Sequence, residues 1–332
     1  MDLNFNLQVL NNAEDVAQFV TNSWRPAKWK NGQPYDRHGK LIANAFLNRE
    51  EWEMLDAAIV RRARQRLNVW NDVLAAGLRS PGSLAEWYTK WRVASEVTAA
   101  EVTMDFETRI EEDRPDTKTY GVPVPIISKM FSIGRRELLT ARANGTPLES
   151  MAAEEAAIAV AEKAEKMLID GETSVVIQGS SISGLRTLSA RYQGTAEGDF
   201  GTLSNIYPTF VDLITQMGAL RYHGPFRVYM ANAQYNEMLE VYTDTGETAM
   251  ERVLRLPKIA SIEVNDLMAA GEFVAVQMDS NVLDIREAMP LQTRRWEAPN
   301  GTRMYFAVMM AAAPRLKTDY AGYAGIAHYT SA

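Results

Sequence analysis

The chain has 332 residues, of which 46% are hydrophobic and 23% are charged, and its formal net charge is -7 at pH 7. It contains no cysteine, which excludes disulfides, thiolate metal sites and a cysteine nucleophile. The length predicts about two domains, and the negative charge argues against a surface covered by nucleic-acid-binding groups. A polar, slightly acidic start and a longest apolar run, near Tyr305–Ala313, too short for a membrane span predict a soluble, cytoplasmic protein with no membrane partner.

Residues 1–47 differ from the rest because apolar and polar side chains are mixed with no clean period over the whole segment. Asn31-Gly32 and Arg37–Gly39 are turn signals. Two interpretations stay open: a poorly ordered terminus, or an arm that becomes ordered against another subunit. The second is favoured by large aromatic side chains that are unfavourable to leave in water. They are Trp24, Trp29, Tyr35 and Phe46.

Asn48–Leu74 predicts a helix, with Asn48 as its N-cap and glutamates near its positive end. Apolar side chains recur at helical spacing from Trp52 to Leu67. The later part has four arginines: Arg61, Arg62, Arg64 and Arg66. They are interpreted either as a solvated face that complements the helix C-terminus or as a surface for an anionic partner such as packaged nucleic acid.

Ser80–Gly82 breaks this helix, and residues 83–127 predict a long two-stranded hairpin that stands away from the core. β-type residues with partial alternation lead to a charged tip at Thr108–Asp116, and an extended segment with Pro123 and Pro125 follows. An isolated two-stranded ribbon is marginally stable in water, so we expect it to lie on a neighbouring copy. The aromatic residues expected at that contact are Trp87, Trp91, Phe106 and Tyr120.

Phe131–Leu139 predicts a short helix, and Thr146–Gly171 predicts a long one that we call the spine helix. Thr146–Glu149 resembles a capping box with proline at the first helical position, and Gly171 suits a left-handed C-terminal cap. Strong helix formers favour roughly 22 helical residues, about 33 Å in length. Alanines along one face predict close approach by a sheet or a neighbouring helix.

After the spine helix, the sequence predicts a short strand at Val175–Ile177, a small-residue loop at Gly179–Leu185 and a mobile surface loop at Tyr192–Leu203. Helices and strands then alternate, with one helix opened by Pro208, one capped by Asn232 and one at Thr248–Leu254. The predicted strands are Phe226–Met230, Ile259–Val264, Glu272–Met278, Leu291–Trp296, Thr302–Met310 and Ala324–Tyr329. Pro299–Gly301 predicts a hairpin turn.

Constellations typical of enzymes are missing from the sequence. The histidines, His38, His223 and His328, have no metal-ligand partner at helical or turn spacing. Gly179–Gly184 lacks the residues of a phosphate-binding loop, and the acidic run Glu107–Asp113 lacks EF-hand spacing. We therefore predict no catalytic residue, no cofactor, no metal site and no enzymatic activity.

The order of elements resembles the Hong Kong 97 capsid fold of tailed-phage major capsid proteins and encapsulins. That order is arm, helix, projecting hairpin, spine helix and an α/β lobe that returns to an antiparallel hairpin. The stretches that resemble encapsulin shell proteins are Asn48–Leu67, Val124–Phe131, Gly145–Gly171, Gly184-Leu185 and Gly224–Phe226. The resemblance covers residues 48–332 and implies an α+β fold of this type.

The resemblance also implies a domain organisation. In the terms of this family, residues 1–47 would be an N-terminal arm, 48–82 an N-terminal helix region and 83–127 an extended E-loop hairpin. Residues 128–179 and 271–332 would form the P-domain with the spine helix. Residues 180–270 would form the α/β A-domain near the capsomer axis.

In function, the resemblance implies a major capsid protein that self-assembles as hexamers and pentamers into an icosahedral shell. The shell would enclose the double-stranded DNA genome of a tailed bacteriophage or prophage, with scaffolding, portal and decoration proteins as further partners. It would be a virion capsid assembled in the cytoplasm of the bacterial host, with the four arginines of residues 61–66 facing its lumen and DNA. Some shells of this fold join a lysine to an asparagine, and Lys118 and Asn300 are of those types, although they are better explained as ordinary turn and surface residues.

Two alternatives stay open. One is an encapsulin-type nanocompartment shell that holds an enzyme cargo, and the other is a cytosolic α/β enzyme or binding protein. The 47 residues before the helix at Asn48 resemble the arm of a viral capsid protein more than a compact nanocompartment subunit. We expect a neighbouring terminase or portal gene for a phage capsid, and a neighbouring ferritin-like or peroxidase gene for an encapsulin.

Overall fold

The computed structural model describes residues 28–30, 33–35, 68–100, 113–144, 151–242, 246–297 and 302–331. Most of the predicted arm, the helix between Asn48 and Leu67, the capping box at Thr146–Glu149 and the turn at Pro299–Gly301 lie outside these residues. Within the arm, strands β1 (Lys28–Lys30) and β2 (Gln33–Tyr35) form a small antiparallel hairpin.

Six helices lie in the described ranges: α1 (Val69–Ala75), α2 (Arg135–Asn144), α3 (Met151–Ile169), α4 (Leu203–Ala219), α5 (Asn232–Glu237) and α6 (Ala249–Leu254). The other strands are β3 (Arg79–Pro81), β4 (Tyr88–Ala94), β5 (Thr117–Pro123), β6 (Ile126–Gly134), β7 (Gly171–Ile177), β8 (Ser180–Ser183), β9 (Tyr192–Thr195), β10 (Phe226–Met230), β11 (Ile259–Val264), β12 (Glu272–Gln277), β13 (Leu283–Glu297), β14 (Arg303–Leu316) and β15 (Ile326–Thr330).

The spine helix, α3, packs on a four-stranded sheet in the order β3-β13-β14-β6. Small side chains let the helix approach the sheet closely, which confirms the prediction from its alanine-rich face. The buried alanines are Ala153, Ala156, Ala157, Ala161 and Ala164. Strands β13 and β14 are the longest of the sheet and pair from Leu283 opposite Leu316 to Glu297 opposite Met304.

The C-terminus of the spine helix is closed by the backbone that follows it. Gly171 has a φ of +81°, as predicted for a left-handed cap, and a Cβ there would lie 2.4 Å from the carbonyl oxygen of Ile182. The N–H of Leu185 donates to the carbonyl of Leu168 at 2.9 Å, and the N–H of Arg186 donates to that of Ile169 at 2.9 Å. Carbonyls that the helix leaves unpaired at its end are therefore satisfied by a neighbouring loop.

A second lobe is built on a five-stranded mixed sheet in the order β11-β10-β12-β15-β9. Helix α4 covers one face, where Phe210, Phe273 and Tyr329 form a separate apolar core. The rings of Phe273 and Tyr329 stack at 5.0 Å. The family resemblance assigned residues 271–332 to the P-domain together with the spine helix. Strands β12 and β15 lie within that range, and they belong to this five-stranded sheet.

A buried carboxylate connects the two lobes. Glu165 of the spine helix is 3% exposed, and its oxygens accept hydrogen bonds from the backbone N–H of Val69 at 2.8 Å and of Trp70 at 3.2 Å. The Asn265 side chain, next to β11, donates to the same carboxylate at 3.1 Å. Burial raises the pKa of Glu165, while these donors favour its charged form. The carboxylate therefore holds the start of α1 and the second lobe against the spine.

Two predicted boundaries near the spine were wrong. Phe131–Gly134 do not begin a helix but end strand β6, and helix α2 begins at Arg135. The ring of Phe131 stacks on Phe306 of β14 at 4.8 Å, so pairing with a strand far along the chain decides this conformation. Ser80 was expected to lie in a break, and it lies in β3, which pairs in parallel with β13.

The predicted loops after the spine contain two further strands. Strand β8 occupies most of the small-residue segment at Gly179–Leu185 and pairs with β7. The segment Tyr192–Leu203 is not a surface loop, because β9 pairs in parallel with β15 and Phe200 is 4% exposed.

Helix boundaries in the second lobe were predicted with mixed success. Pro208 lies inside α4, five residues after its start, and Asn232 is the first helical residue of α5 and does not cap it. The predicted helix at Thr248–Leu254 is confirmed from Ala249 onwards, and Thr248 itself is the N-cap, with a complete capping box to Glu251. Pro208 is the sixth helical residue, beyond the first turn, so α4 lacks the backbone hydrogen bond that an N–H at this position would donate.

Candidate assembly surfaces

The predicted hairpin exists and consists of β4 and β5. The strands pair in antiparallel fashion from Tyr88 opposite Pro123 to Ala94 opposite Thr117, which confirms the two-stranded interpretation. Beyond the last pair, the backbone N–H of Thr98 donates to the Asp113 carboxylate at 2.9 Å. The residues that follow Ala100 towards the tip, including Phe106, lie outside the described part of the chain.

The root of the hairpin is fixed to its own chain. The Tyr88 hydroxyl lies 3.0 Å from the Ser180 hydroxyl, and the guanidinium of Arg315 donates to the Thr89 hydroxyl at 3.3 Å. Arg315 is itself held by two short hydrogen bonds, of 2.6 and 2.5 Å, to the buried carboxylate of Asp284. The expectation that the whole hairpin stands away from the core is therefore wrong for its first residues.

Further contacts attach the hairpin just before β4 begins and also near the outer end of the described strands, where Lys118 lies opposite Val93. The Lys118 ammonium donates to the carbonyl of Tyr320 at 3.0 Å and lies 4.0 Å from the centre of that ring. Arg286 of β13 donates to the Glu86 carboxylate at 2.7 Å, just before β4 begins. Lys118 thus has partners within its own chain, and Asn300, its hypothetical crosslinking partner, lies outside the described residues.

The aromatic residues of the hairpin divide into two kinds. Trp91 is partly buried against the core of its own chain and stacks on Tyr120, with ring centres 6.2 Å apart. Trp87 is 75% exposed. A single described chain therefore leaves Trp87, and not Trp91, with most of its surface in water.

Trp87 is part of an apolar surface at the hairpin root, which we call the root patch. Ile126 is the other large exposed member, with an exposure of 56%. Together with smaller apolar groups, this region surrounds a cleft of about 190 Å³. The cleft is lined in part by Leu84, Trp87, Val124, Ile126, Val175 and Ile177. An exposed cluster of this composition on a protein surface is typical of an interface.

The patch continues along the outer face of the four-stranded sheet. Phe306 and alternate residues after it in β14 point into the core, so Ala307 and Ala311 face the other way. Met130 and Ile126 of β6 pair with these two alanines and share their face, and Met130 is 55% exposed. Further along this face, Trp296 stacks on Tyr305 with a centre-to-centre distance of 5.8 Å.

The second lobe has its own exposed apolar residues, between α5 and α6. Leu239, Val241 and Leu254 are 47%, 50% and 41% exposed. Beside them, the guanidinium of Arg252 lies 4.9 Å from the ring centre of Tyr207 and 5.1 Å from that of Tyr242. Stacking on two rings fixes this cation at the surface, next to the exposed apolar groups.

Within the described ranges, no group of three or more histidine, aspartate or glutamate side chains is placed to hold a metal ion. His223 is exposed, and His328 is buried beside Arg191, whose Nε donates to His328 Nδ1 at 3.3 Å. Burial lowers the pKa of His328, and the neighbouring carboxylate of Glu272 opposes this effect. The same part of the chain contains no helix that is both long and apolar enough to cross a membrane.

Several residues proposed as contacts fall outside the described part of the chain. They are Trp24, Phe106, Arg61, Arg62, Arg64 and Arg66. Trp29 lies in β1, of which only the backbone is described. Ile126 and Met130 were not among the predicted contacts because each adjoins a further apolar residue, so no alternation distinguished an outward face.

Comparisons with known proteins cover most of the chain. A family model described as "Family of unknown function (DUF6260)" matches residues 42–329. The type 1 encapsulin shell protein EncA of Myxococcus xanthus is 23% identical over 246 residues, which cover 74% of this chain and 82% of that protein.

Solved structures show the same architecture. A virus-like particle from Pyrococcus furiosus superposes with a TM-score of 0.60 at 16% identity, covering 84% of this chain and 99% of that one. The capsid of Myoviridae phage XM1 gives a TM-score of 0.60 at 16% identity, with 78% and 91% of the two chains covered. The predicted α+β fold of the Hong Kong 97 type is confirmed.

Proposed function

This chain belongs to the family of unknown function DUF6260, and we propose that it is the major capsid protein of a tailed bacteriophage or prophage. Identical copies assemble as hexamers and pentamers into an icosahedral shell around double-stranded DNA. The protein acts by assembly and not by catalysis. Its place is the virion capsid, which forms in the cytoplasm of the bacterial host.

The observation that supports this proposal most directly is the root patch on a capsid fold. Trp87 and Ile126 are both more than half exposed, although the chain buries two apolar cores elsewhere. A second copy that covers this patch removes the apolar surface from water. Contacts of this kind, repeated by symmetry, give a strong shell even when each one is weak.

The fixed root also suits assembly. Tyr88, Thr89 and Lys118 attach the hairpin to its own chain, so the direction in which its outer part extends is set before assembly. A pre-oriented hairpin loses less conformational entropy when it binds a neighbour than a free one does. Trp91 and Tyr120 then serve mainly the root, and Trp87 is the residue that we assign to the contact between copies.

Other parts of the proposal concern surfaces beyond the described ranges. Trp24 and Trp29 belong to the arm that we expect to contact a neighbouring copy. The four arginines of residues 61–66 would face the lumen and neutralise DNA phosphates without sequence preference. Scaffolding, portal and decoration proteins are the further partners that such an assembly implies. Because the net charge of the protein is -7, DNA binding would depend on a local basic lining and not on the charge of the protein as a whole.

An encapsulin-type shell with an enzyme cargo is the second candidate, favoured by the similarity to the Myxococcus xanthus shell protein. Both candidates require a closed container built from many copies. They differ in contents, because a phage capsid holds a genome and an encapsulin holds folded protein. The same surfaces between copies would serve either role.

The deciding experiment is electron microscopy and gel filtration of the full chain produced in bacteria, alone and together with the genes that flank it. The proposal predicts closed icosahedral particles far larger than the 37.1 kDa subunit, and nuclease-protected DNA in particles from an infected or induced host. Particles that enclose a folded enzyme and no DNA would instead establish the encapsulin function. A protein that stays a monomer or small oligomer under all these conditions would overturn both.

A separate scaffolding protein is a further part of the proposal that this experiment checks. Robust, correctly sized shells from the chain expressed alone would count against such a protein. Irregular or open assemblies that become regular when a flanking gene is added would support it.

A further inference from the structure

The two main sheets have four terminal strands, and three of them are protected against pairing with another strand. Strand β3 has three residues and ends in Pro81, and β9 has four residues. Strand β11 has six residues, with Glu263 near its end. Short length, proline and charge are the usual devices that protect a sheet edge.

Strand β6 is the longest of the four and the least protected for its length. It has nine residues, and Lys129, near its middle, is its one charged residue. Ile126 and Met130 on it are more than half exposed, and no strand in the described ranges pairs with its outer edge. Alternate N–H and C=O groups along that edge point away from β14 and have no partner in the sheet. A long apolar edge of this type is a template for one more strand.

The chain contains a segment that fits this edge. From Leu3 to Val9 the sequence is Leu-Asn-Phe-Asn-Leu-Gln-Val, in which apolar side chains alternate strictly with amides. Such alternation is typical of a strand with one buried face. The segment has no charged residue, which matches an edge with a single lysine.

We propose that the segment Leu3–Val9 pairs with the outer edge of β6 as a fifth strand of the sheet. Its four apolar side chains lie beside Ile126 and Met130 and extend the apolar outer face, because paired residues on adjacent strands share a face. Its amide side chains project to the other face. The pairing needs no closed shell, so it is true or false independently of the proposed function.

Engineered disulfides test the pairing directly, because the natural chain has no cysteine that could form a competing bond. Ser128 is exposed and lies on the same face as Ile126 and Met130. The variant Ser128→Cys is combined in turn with Leu3→Cys, Phe5→Cys, Leu7→Cys and Val9→Cys, which covers every register on that face. The matched control replaces Ser128→Cys by Ser261→Cys on the protected edge strand β11.

We expect at least one of the four pairs to oxidise almost completely, and the control pairs to stay reduced under the same conditions. Mass spectrometry of mixed, isotope-labelled chains then tells whether the segment comes from the same copy or from a neighbour, and either origin supports the proposal. Equal oxidation of the Ser128→Cys and Ser261→Cys series would overturn it.

Hydrogen exchange gives a second test that requires no cysteine. Deleting residues 2–9 should speed amide exchange in Ile126–Gly134 by about tenfold or more and leave Ile259–Val264 unchanged. Replacing Leu3, Phe5, Leu7 and Val9 by Ser should have the same effect, whereas replacing Asn4, Asn6 and Gln8 by Ser should not. Unchanged exchange in β6 after the deletion would contradict the proposal, whether or not the protein forms shells.

Discussion

The chain covers the inner face of the four-stranded sheet completely and the outer face only in part. On the inner face, Phe306, Val308 and Met310 are buried against the spine helix. On the outer face, Ile126 and Met130 are each more than half exposed, and the root patch adjoins them. The same strands thus meet a complete core on one side and an incomplete one on the other.

Strand β14 has an unusual sequence for a strand at the surface of a sheet. Met304–Ala313 is a continuous apolar run, whereas a strand with one solvated face would alternate apolar with polar residues. A continuous run of this length indicates a strand that is buried on both faces. Ala307 and Ala311 on the outer face are indeed buried in the described chain, as are Phe306, Val308 and Met310 on the inner face.

The largest effect is expected from a change on the covered face. Phe306→Ala removes a fully buried ring that stacks on Phe131 at 4.8 Å, and it should lower the free energy of unfolding by about 3–5 kcal/mol. Urea unfolding followed by circular dichroism measures this change. Shells should be lost together with the folded subunit, because the inner core supports the whole sheet.

Phe306→Leu is the matched control, since it keeps an apolar side chain of intermediate size at the same site. It should lose clearly less stability than Phe306→Ala and still assemble. A folded, stable Phe306→Ala subunit would contradict the assignment of the inner face as the structural core.

A smaller effect on the free energy of unfolding is expected from His328, which lies in strand β15 of the five-stranded sheet. His328 lies with Arg191 on one side and Glu272 on the other, and its Nδ1 accepts a hydrogen bond from Arg191. Arg186 also faces this group through its ion pair with Glu272. Burial lowers the pKa of His328 below its ordinary value of 6.5, so the folded protein favours the neutral ring.

The sign of the pH dependence follows from this shift. The unfolded chain binds a proton at His328 more readily than the folded chain does, so the free energy of unfolding should fall as the pH drops from 7.5 through 6.5 towards the lower folded-state pKa. His328→Asn keeps an acceptor near Nδ1 and cannot gain a proton. Its unfolding free energy should vary less over this range than that of the natural protein. Equal pH dependence of the two would exclude His328 as the cause.

Local signals in the sequence predicted the spine helix, the β4–β5 hairpin and most of the second lobe. Gly171 was placed correctly because a left-handed cap depends on neighbouring residues alone. Phe131–Gly134 and Tyr192–Thr195 were assigned wrongly because both become strands by pairing with β14 and β15, more than a hundred residues away. Long-range pairing of this kind overrides local preference.

The candidate surface was predicted in outline and not in detail. Aromatic residues on a thin hairpin indicated a contact with something else, and Trp87 fits that expectation with its 75% exposure. Trp91 belongs to the same pattern in the sequence, yet it packs on its own core and stacks on Tyr120. Which of two tryptophans faces outward depends on where the root is attached, and contacts such as Arg315 to Thr89 are not visible in the sequence.

The smallest effect on stability is expected at Trp87, and it gives the sharpest test of the uncovered face. Trp87→Ala should change the free energy of unfolding of the isolated subunit by less than about 0.5 kcal/mol, because most of the side chain is already in water. Particle yield, measured by electron microscopy and sedimentation, should nevertheless fall sharply if the root patch lies between copies. Trp91→Ala is the comparison, and its removal of a partly buried ring should destabilise the subunit by roughly 1–3 kcal/mol. Normal particles from Trp87→Ala would show that the contact between copies lies elsewhere, whereas a large loss of subunit stability would show that its own chain already covers the ring.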